Sequence, residues 1–188
     1  MLEFYLITYA IIMLIGRFLS RTKRKKTDLK EQLQGILRDP TAIMMVFTTL
    51  TSFTLPVVEA VFRQTIKFNI LSFSNGFLFI GLGWALSYFA NQDIAENWSP
   101  EITNYGDQFL VTRGTYQVVR HPLYLAGLLI FVGTQIYLQN TWSWILLLLM
   151  VPTIIIRISL EEMRLIKKFG RNYQEYQQRT KALIPWVW

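Results

Sequence analysis

"PLYLAGLLIFVGTQIYLQNTWSWILLLLMVPTIII", Pro122 to Ile156, is a run of 35 residues without one charged side chain. A membrane-crossing helix needs about 20 apolar residues, so the run is too long for one crossing, and the polar "LQNTW" at its middle divides it. It reads as two helices folded back on each other. Each arm of about 17 residues rises roughly 26 Å at 1.5 Å per residue, close to the 30 Å of a hydrocarbon core. The turn then falls at Gln139 and Asn140. Such a hairpin returns the chain to the face it left, and both of its flanks are polar: "TYQVVRH", Thr115 to His121, and "RISLEE", Arg157 to Glu162.

Composition agrees with a membrane chain. Of 188 residues, 52% are hydrophobic and 16% charged, against roughly 25% charged in soluble domains. There is no cysteine, which excludes disulfides, thiolate nucleophiles and cysteine metal sites. The single histidine, His121, has no carboxylate at a ligand-like spacing in sequence, so no metal is expected. The net charge of +7 gathers in two places beside apolar segments, "SRTKRKK" at Ser20 to Lys26 and the stretch Arg164 to Lys181. That is the pattern of cytoplasmic loops and lipid-headgroup contact, and it lacks the motifs that nucleic-acid binding requires.

Three further apolar segments precede the hairpin: Phe4 to Leu19, Pro40 to Val58 with Pro56 as a kink site, and Phe68 to Gln92. In the last, Gly76, Gly81 and Gly83 are small enough to admit a close neighbouring helix. The first lacks the basic leader and cleavage site of a signal peptide and reads as a retained anchor. The expected fold is an all-α integral membrane protein with about five transmembrane helices, forming a single domain over 1–188. Its amino-terminal part, 1–92, carries three spans and a basic loop at 20–38, and its remaining part, 93–188, carries the hairpin. Seven Lys or Arg lie between Ser20 and Arg38 and six after Glu161, against two between Phe62 and Ile70 and none in the hairpin turn. The amino terminus is therefore expected outside and the carboxy terminus inside. In the cytosolic tail, Ile166, Phe169, Tyr173 and Tyr176 are spaced as one apolar helical stripe, and "IPWVW" ends the chain with two tryptophans suited to the headgroup level.

Two polar clusters have no topological purpose. Arg157 and Glu161, four apart, share a helix face at the inner mouth of the fifth span, either as an ion pair that stabilises a helix end or as a charged pair that handles a polar ligand at membrane depth. In "RHP", Pro122 suits a first helical turn, which leaves Arg120 and His121 on the incoming loop beside anion-favouring N–H groups. The hairpin brings both clusters to one face, where they can form one pocket.

"LVTRGTYQVVRHPLYLAG", then "GTQ" at Gly133 to Gln135, then "RISLEEMRLIKKFGRNYQEYQQRTKALIP" resembles the isoprenylcysteine carboxyl methyltransferase family, within the wider phospholipid methyltransferase group. The likeness covers about half the chain, and "ENWSPEI" at Glu96 to Ile102 resembles the prokaryotic branch. It implies an enzyme that uses S-adenosylmethionine, with S-adenosylhomocysteine as product, in a cytosolic-face site. Carried over by position, the cofactor contacts fall on Gln108, where family members can have histidine, and on Phe109, Leu110, Val111, Tyr116, His121, Pro122, Leu123, Tyr124 and Glu161. Glu162 is the competing acid. Arg157 corresponds to the substrate-contacting arginine, which would orient a carboxylate nucleophile on a prenylcysteine-like lipid entering from the bilayer. Within the group, a lipid amine N-methyltransferase is the alternative; in another class, a sterol-type membrane reductase using a nicotinamide dinucleotide.

Overall fold

A computed structural model of the chain describes residues 2–19, 37, 39–63, 67–94 and 109–185. The run Ser20 to Lys26, the "ENWSPEI" motif, Gln108 and the closing Trp186 and Trp188 lie outside the described residues. Helices α1 (Leu2–Leu19), α2 (Pro40–Arg63) and α3 (Ile70–Ile94) are followed by a single turn, α4 (Thr115–Val118), then α5 (Pro122–Tyr137), a 3₁₀ turn (Ser143–Leu146), α6 (Leu147–Phe169) and α7 (Arg171–Arg179). Among the described residues the only extended pairing is an isolated parallel bridge between Val119 and Lys181.

The starts of α2 and α3 follow from local chemistry. Asp39 caps α2: its Oδ1 accepts from the Thr41 and Ala42 amides at 2.9 and 3.3 Å, and Pro40 at the first helical position has no N–H to leave unpaired. Asn69 does the same for α3, accepting from the Leu71 and Ser72 amides at 3.0 and 3.3 Å.

Among the described residues, four segments are long and apolar enough to cross a membrane: Leu2–Leu19, Pro40–Arg63, Ile70–Ile94 and Ser143–Phe169. The apolar α5, at 16 residues, is about 24 Å long. Large apolar side chains point outward along these helices, with Leu148 72% exposed and Phe47 60%. Water does not tolerate so much contiguous apolar surface, whereas lipid does. The chain is an all-helical, multi-pass membrane protein.

Because lipid is as apolar as leucine, helix association depends on close packing rather than on escape from water. The backbones of α3 and α5 approach each other closely. A Cβ at Gly76 would stand 2.6 Å from the Tyr137 Cα, and one at Gly133 would stand 2.7 Å from the Ile80 amide nitrogen. Gly83 likewise faces the Ala126 carbonyl, but nothing lies within 4 Å of the Gly81 position, so only two of the three glycines expected to admit a neighbour do so. Helix α1 adds Tyr5 and Tyr9 to a cluster with Ile80, Tyr137 and Leu138. Side chains join α5 to α6 through Phe131, Met150, Ile154 and Ile158.

The first and third segments shift by about one half-turn, to Leu2–Leu19 and Ile70–Ile94, and two larger differences from the sequence reading have physical causes. Helix α2 continues through the buried Pro56 to Arg63, five residues beyond Val58. Its extra turn carries Glu59 to the connection between α5 and α6, where the carboxylate accepts from the amides of Thr141 (2.7 Å), Trp142 (3.0 Å) and Ser143 (2.8 Å) and from the Ser143 hydroxyl. Arg63 donates to the Gln139 carbonyl at 2.6 Å. These bonds satisfy amides that begin the return helix, and they outweigh the apolar pattern that stopped at Val58. The tail stripe is not one helix: the chain turns at Gly170, φ 56°, a conformation that L side chains resist. Tyr173 and Tyr176 are buried on α7, while Ile166 and Phe169 remain half-buried at the end of α6.

Candidate functional site

The "RHP" loop and the carboxy-terminal end of α6 meet. His121, the residue before α5, is 7% exposed and lies between two carboxylates. Its Nε2 is 3.1 Å from Glu162 Oε1 and its Nδ1 is 3.7 Å from Glu161 Oε2. One turn into α5, the Tyr124 hydroxyl donates to Glu161 Oε1 at 2.5 Å. Residues 40 positions apart therefore share one cluster, because α5 and α6 reverse direction about the turn held by Glu59.

The two adjacent glutamates are placed in different electrostatic settings. Glu162 is saturated: Oε1 accepts from Arg120 Nε at 2.7 Å and from His121, and Oε2 accepts from Gln177 Nε2 at 2.8 Å. Glu161 is not. Its Oε1 takes Tyr124 and, at 3.1 Å, Arg157 Nε, but the His121 contact to its Oε2 is too long for a full hydrogen bond. Its side chain is 23% exposed against 16% for Glu162. Glu161 keeps acceptor capacity that Glu162 has spent.

Arg157 is 6% exposed, and a buried guanidinium needs partners. Besides Glu161 it reaches across to the start of α2, where Nη1 donates to Asp39 Oδ2 at 2.8 Å and to the Thr41 hydroxyl at 2.7 Å. Thr41 in turn donates to Asp39 Oδ1 at 2.6 Å. Burial opposes ionisation of Asp39, but the Thr41 hydroxyl and the Arg157 guanidinium outweigh it and hold the carboxyl at about 2. The more exposed Arg164 stands 3.8 Å from the same Oδ2.

The carboxy-terminal segment forms a strap over the loop. The Arg120 amide donates to the Lys181 carbonyl at 2.8 Å and the His121 amide to the Ala182 carbonyl at 3.0 Å. The Arg120 side chain donates to the carbonyls of Thr180 and Gln177, and the Tyr176 hydroxyl donates to the Tyr116 carbonyl at 2.5 Å. The tail thus packs on the loop before α5. Burial, with Tyr176, Asp93 and Glu161 nearby, pushes the Tyr116 hydroxyl far above its ordinary value, so it is protonated at neutral pH and no base.

The residues singled out in the sequence divide into two groups. Arg157, Glu161, His121 and Tyr124 converge on one polar cluster. Val111, Tyr116 and Leu123 instead turn their side chains into a small apolar core with Ala90 and Ile94. Val111 and Tyr116 are buried there, whereas Leu123 is half-buried. Pro122 is buried at the start of α5, Leu110 is half-buried and Phe109 is 56% exposed. Sequence reasoning missed Asp39 and Asp93. The first had a legible signal, since Asp-Pro-Thr is a helix start on the same face as Arg157. The second, at the end of α3, accepts from the Thr115 amide and hydroxyl, both at 2.7 Å, and no local pattern announces a pairing across 22 positions. Gly114, at φ 61°, is pressed against the Asp93 carboxylate, which leaves no room for a side chain.

A sequence model of the phospholipid methyltransferase family matches residues 72–172, more than half of the chain and including both halves of the polar cluster. Protein-S-isoprenylcysteine O-methyltransferase B of Arabidopsis thaliana is 44% identical over 79 residues, 42% of this chain and 40% of that protein. Protein-S-isoprenylcysteine O-methyltransferase of Schizosaccharomyces pombe is 37% identical over 82 residues, 43% of this chain and 35% of that protein. Methanethiol S-methyltransferase 1 of Bradyrhizobium diazoefficiens is 41% identical over 73 residues, 38% of this chain and 24% of that protein. The chain spans less than half the length of each of these curated relatives. It belongs to the phospholipid methyltransferase family, within the group that holds the isoprenylcysteine carboxyl methyltransferases.

Proposed function

We propose that the protein is a membrane methyltransferase that moves a methyl group from S-adenosylmethionine to the carboxylate of a prenylcysteine-like lipid. The observation that carries this reading is the Arg157–Glu161–Tyr124–His121 cluster, formed at one end of the α5–α6 pair inside the segment matched by the family. The donor set fits the cofactor. Glu161 offers a partly exposed carboxylate with unspent acceptor capacity to a cationic, hydroxyl-bearing molecule, and Val111 packs with Tyr116 and Leu123 on either side of the same loop. Glu162, saturated by Arg120, His121 and Gln177, holds the loop in place instead.

When bound, S-adenosylmethionine supplies a methyl group on positively charged sulfur, so transfer to a carboxylate oxygen gives an ester and a neutral thioether with no proton to move. No general base is then required of the chain. Arg157 binds and orients the carboxylate, Glu161 with Tyr124 holds the cofactor side, and the strap from Thr180 to Leu183 keeps bulk water from the loop; alignment of this kind supplies several kcal/mol of barrier lowering. In this reading α5 is a fifth, short crossing paired with α6, the amino terminus is outside, and the site faces the cytoplasm. The lipid chain enters sideways between helices.

A protonated amine nucleophile would be repelled by Arg157 and would need a base, which favours the carboxylate over a phospholipid amine. The test is a labelled-methyl transfer assay on the detergent-purified protein with three acceptors: a farnesylcysteine analogue, phosphatidylethanolamine and a small thiol. Label in the base-labile ester of the first supports the reading; label in the amine or the thiol alone overturns the carboxylate assignment.

A further inference from the structure

The arginine assigned to substrate does not stand alone on its helix. Its guanidinium has five N–H donors. Those on Nη1 go to Asp39 and Thr41, the one on Nε goes to Glu161, and the guanidinium also bonds the Tyr124 hydroxyl. Asp39 is itself rigid, because its Oδ1 is occupied by the start of α2: the Thr41 amide, the Thr41 hydroxyl and the Ala42 amide. One carboxylate therefore caps a helix with one oxygen and grips the arginine with the other. It comes from the amino-terminal part of the chain, outside residues 72–172 matched by the family, and 118 positions from its partner.

We infer that Asp39 is a positioning residue for Arg157, fixing the guanidinium plane from α2 so that Nη2, the group engaged by neither acid, is the one presented to the acceptor carboxylate. The geometry has a reason to be needed. An arginine side chain has four rotatable torsions, and its bonds to Glu161 and Tyr124 both lie on the α5–α6 side, which leaves the opposite edge of the plane unheld. A second anchor on the opposite side of the planar group removes that freedom before substrate arrives, which is the preorganisation that in-line transfer requires. Arg164, 3.8 Å from the same oxygen, places a second cation beside Asp39. The inference rests on the proposed role of Arg157 and goes beyond it, since the helix cap alone would explain Asp39 without any bearing on turnover.

The discriminating variant is Asp39→Asn. Asparagine caps a helix as well as aspartate does, so the start of α2 is preserved while the charge facing Arg157 is lost. The full-length protein is compared with Asp39→Asn and Arg157→Ala in three measurements: melting temperature in detergent, affinity for S-adenosylhomocysteine by calorimetry, and kcat and KM on the farnesylcysteine analogue. Positioning predicts that Asp39→Asn melts within about 4 °C of the parent and binds S-adenosylhomocysteine within about threefold, yet loses roughly tenfold or more in kcat, an effect of misplacement that can reach about 10²-fold. Unchanged kcat in Asp39→Asn beside an inactive Arg157→Ala overturns the inference and leaves the role of Arg157 standing. Full activity in Arg157→Ala overturns both. A matching loss of melting temperature and cofactor affinity in Asp39→Asn also overturns it, because the residue would then be a structural support only.

Discussion

The α5–α6 pair is tied at both ends by carboxylates from other elements, and the ties differ in what satisfies them. At the far turn, Glu59 accepts from three successive backbone amides and a serine hydroxyl. Most of the groups around it are fixed parts of the main chain, and the adjacent Arg63, 3.4 Å from Glu59 Oε1, makes its shorter bond to the Gln139 carbonyl. At the near end, Asp39, Glu161 and Glu162 face Arg157, Arg120 and His121. Side chains can exchange partners, whereas main-chain amides at a helix start cannot leave. The far tie is therefore a hinge pin, and the near one is an arrangement in which Glu161 still has a carboxylate oxygen to offer. A charge in a membrane protein is a sign of function only when its partners leave it something to do.

That contrast is open to attack from both sides. The largest effect expected is on turnover. Arg157→Ala should lower kcat on the carboxylate acceptor by about 10² to 10³-fold, the range for removing one fixed charge-stabilising donor, with S-adenosylhomocysteine affinity held within about threefold. Equal loss of binding and turnover would erase the division between Arg157 and Glu161. Next is stability at the opposite end. Glu59→Ala strips three amides of their acceptor and should cost about 3 kcal/mol, a fall of roughly 6–12 °C in melting temperature for a chain of this size. Turnover per folded molecule should stay near that of the parent. If Glu59→Ala left melting unchanged, the far tie would not be the pin described.

A finer cut separates the neighbouring acids. Glu161→Gln should weaken S-adenosylhomocysteine about tenfold in calorimetry while shifting the melting temperature by only about 2 °C, since the amide keeps an oxygen to accept from Tyr124 and Arg157. Glu162→Gln should do the opposite, costing about 2 kcal/mol through Arg120 and the strap with affinity little changed. Reversal of the two results would transfer the cofactor role to Glu162. The smallest effect is a pH dependence. The Asp39 carboxyl is held at about 2 against an ordinary 3.8, so its contribution is complete above about pH 4 and is lost as pH falls toward 2. At most about 2 kcal/mol is at stake. Melting should decline over that window in the parent and decline less in Asp39→Asn; parallel curves would mean that the Asp39–Arg157 pair adds nothing to the fold.

Much of the architecture was legible because its causes are local or periodic. A charge-free run of 35 residues with a polar middle can only be two helices, and Pro122 after His121 marks where the second half begins. Arg157 and Glu161 at a spacing of four had to share a face. By contrast, the end of α2 at Arg63 and the break at Gly170 escaped notice for opposite reasons. Glu59 looks like the polar end of a span until the turn it serves is in place. Gly170 interrupts a stripe whose hydrophobic spacing continues straight through it. Gly81 has the same signature as Gly76 and Gly83, yet it faces no neighbour, because spacing identifies a helix face and not the helix that lies against it.

The sequence by itself determined that this is an all-helical membrane chain, where α2 and α5 begin, and that the charged ends of one long apolar run return to a common face. These follow from side-chain periodicity, hydropathy and cap chemistry, which act over a few residues. Only the tertiary structure decided which of two adjacent glutamates is spent, that Val111 and Tyr116 pack inward, and that Asp39 reaches the buried arginine from 118 positions away. Those outcomes depend on which groups compete for the same hydrogen bond in three dimensions, a competition whose members are not neighbours along the chain.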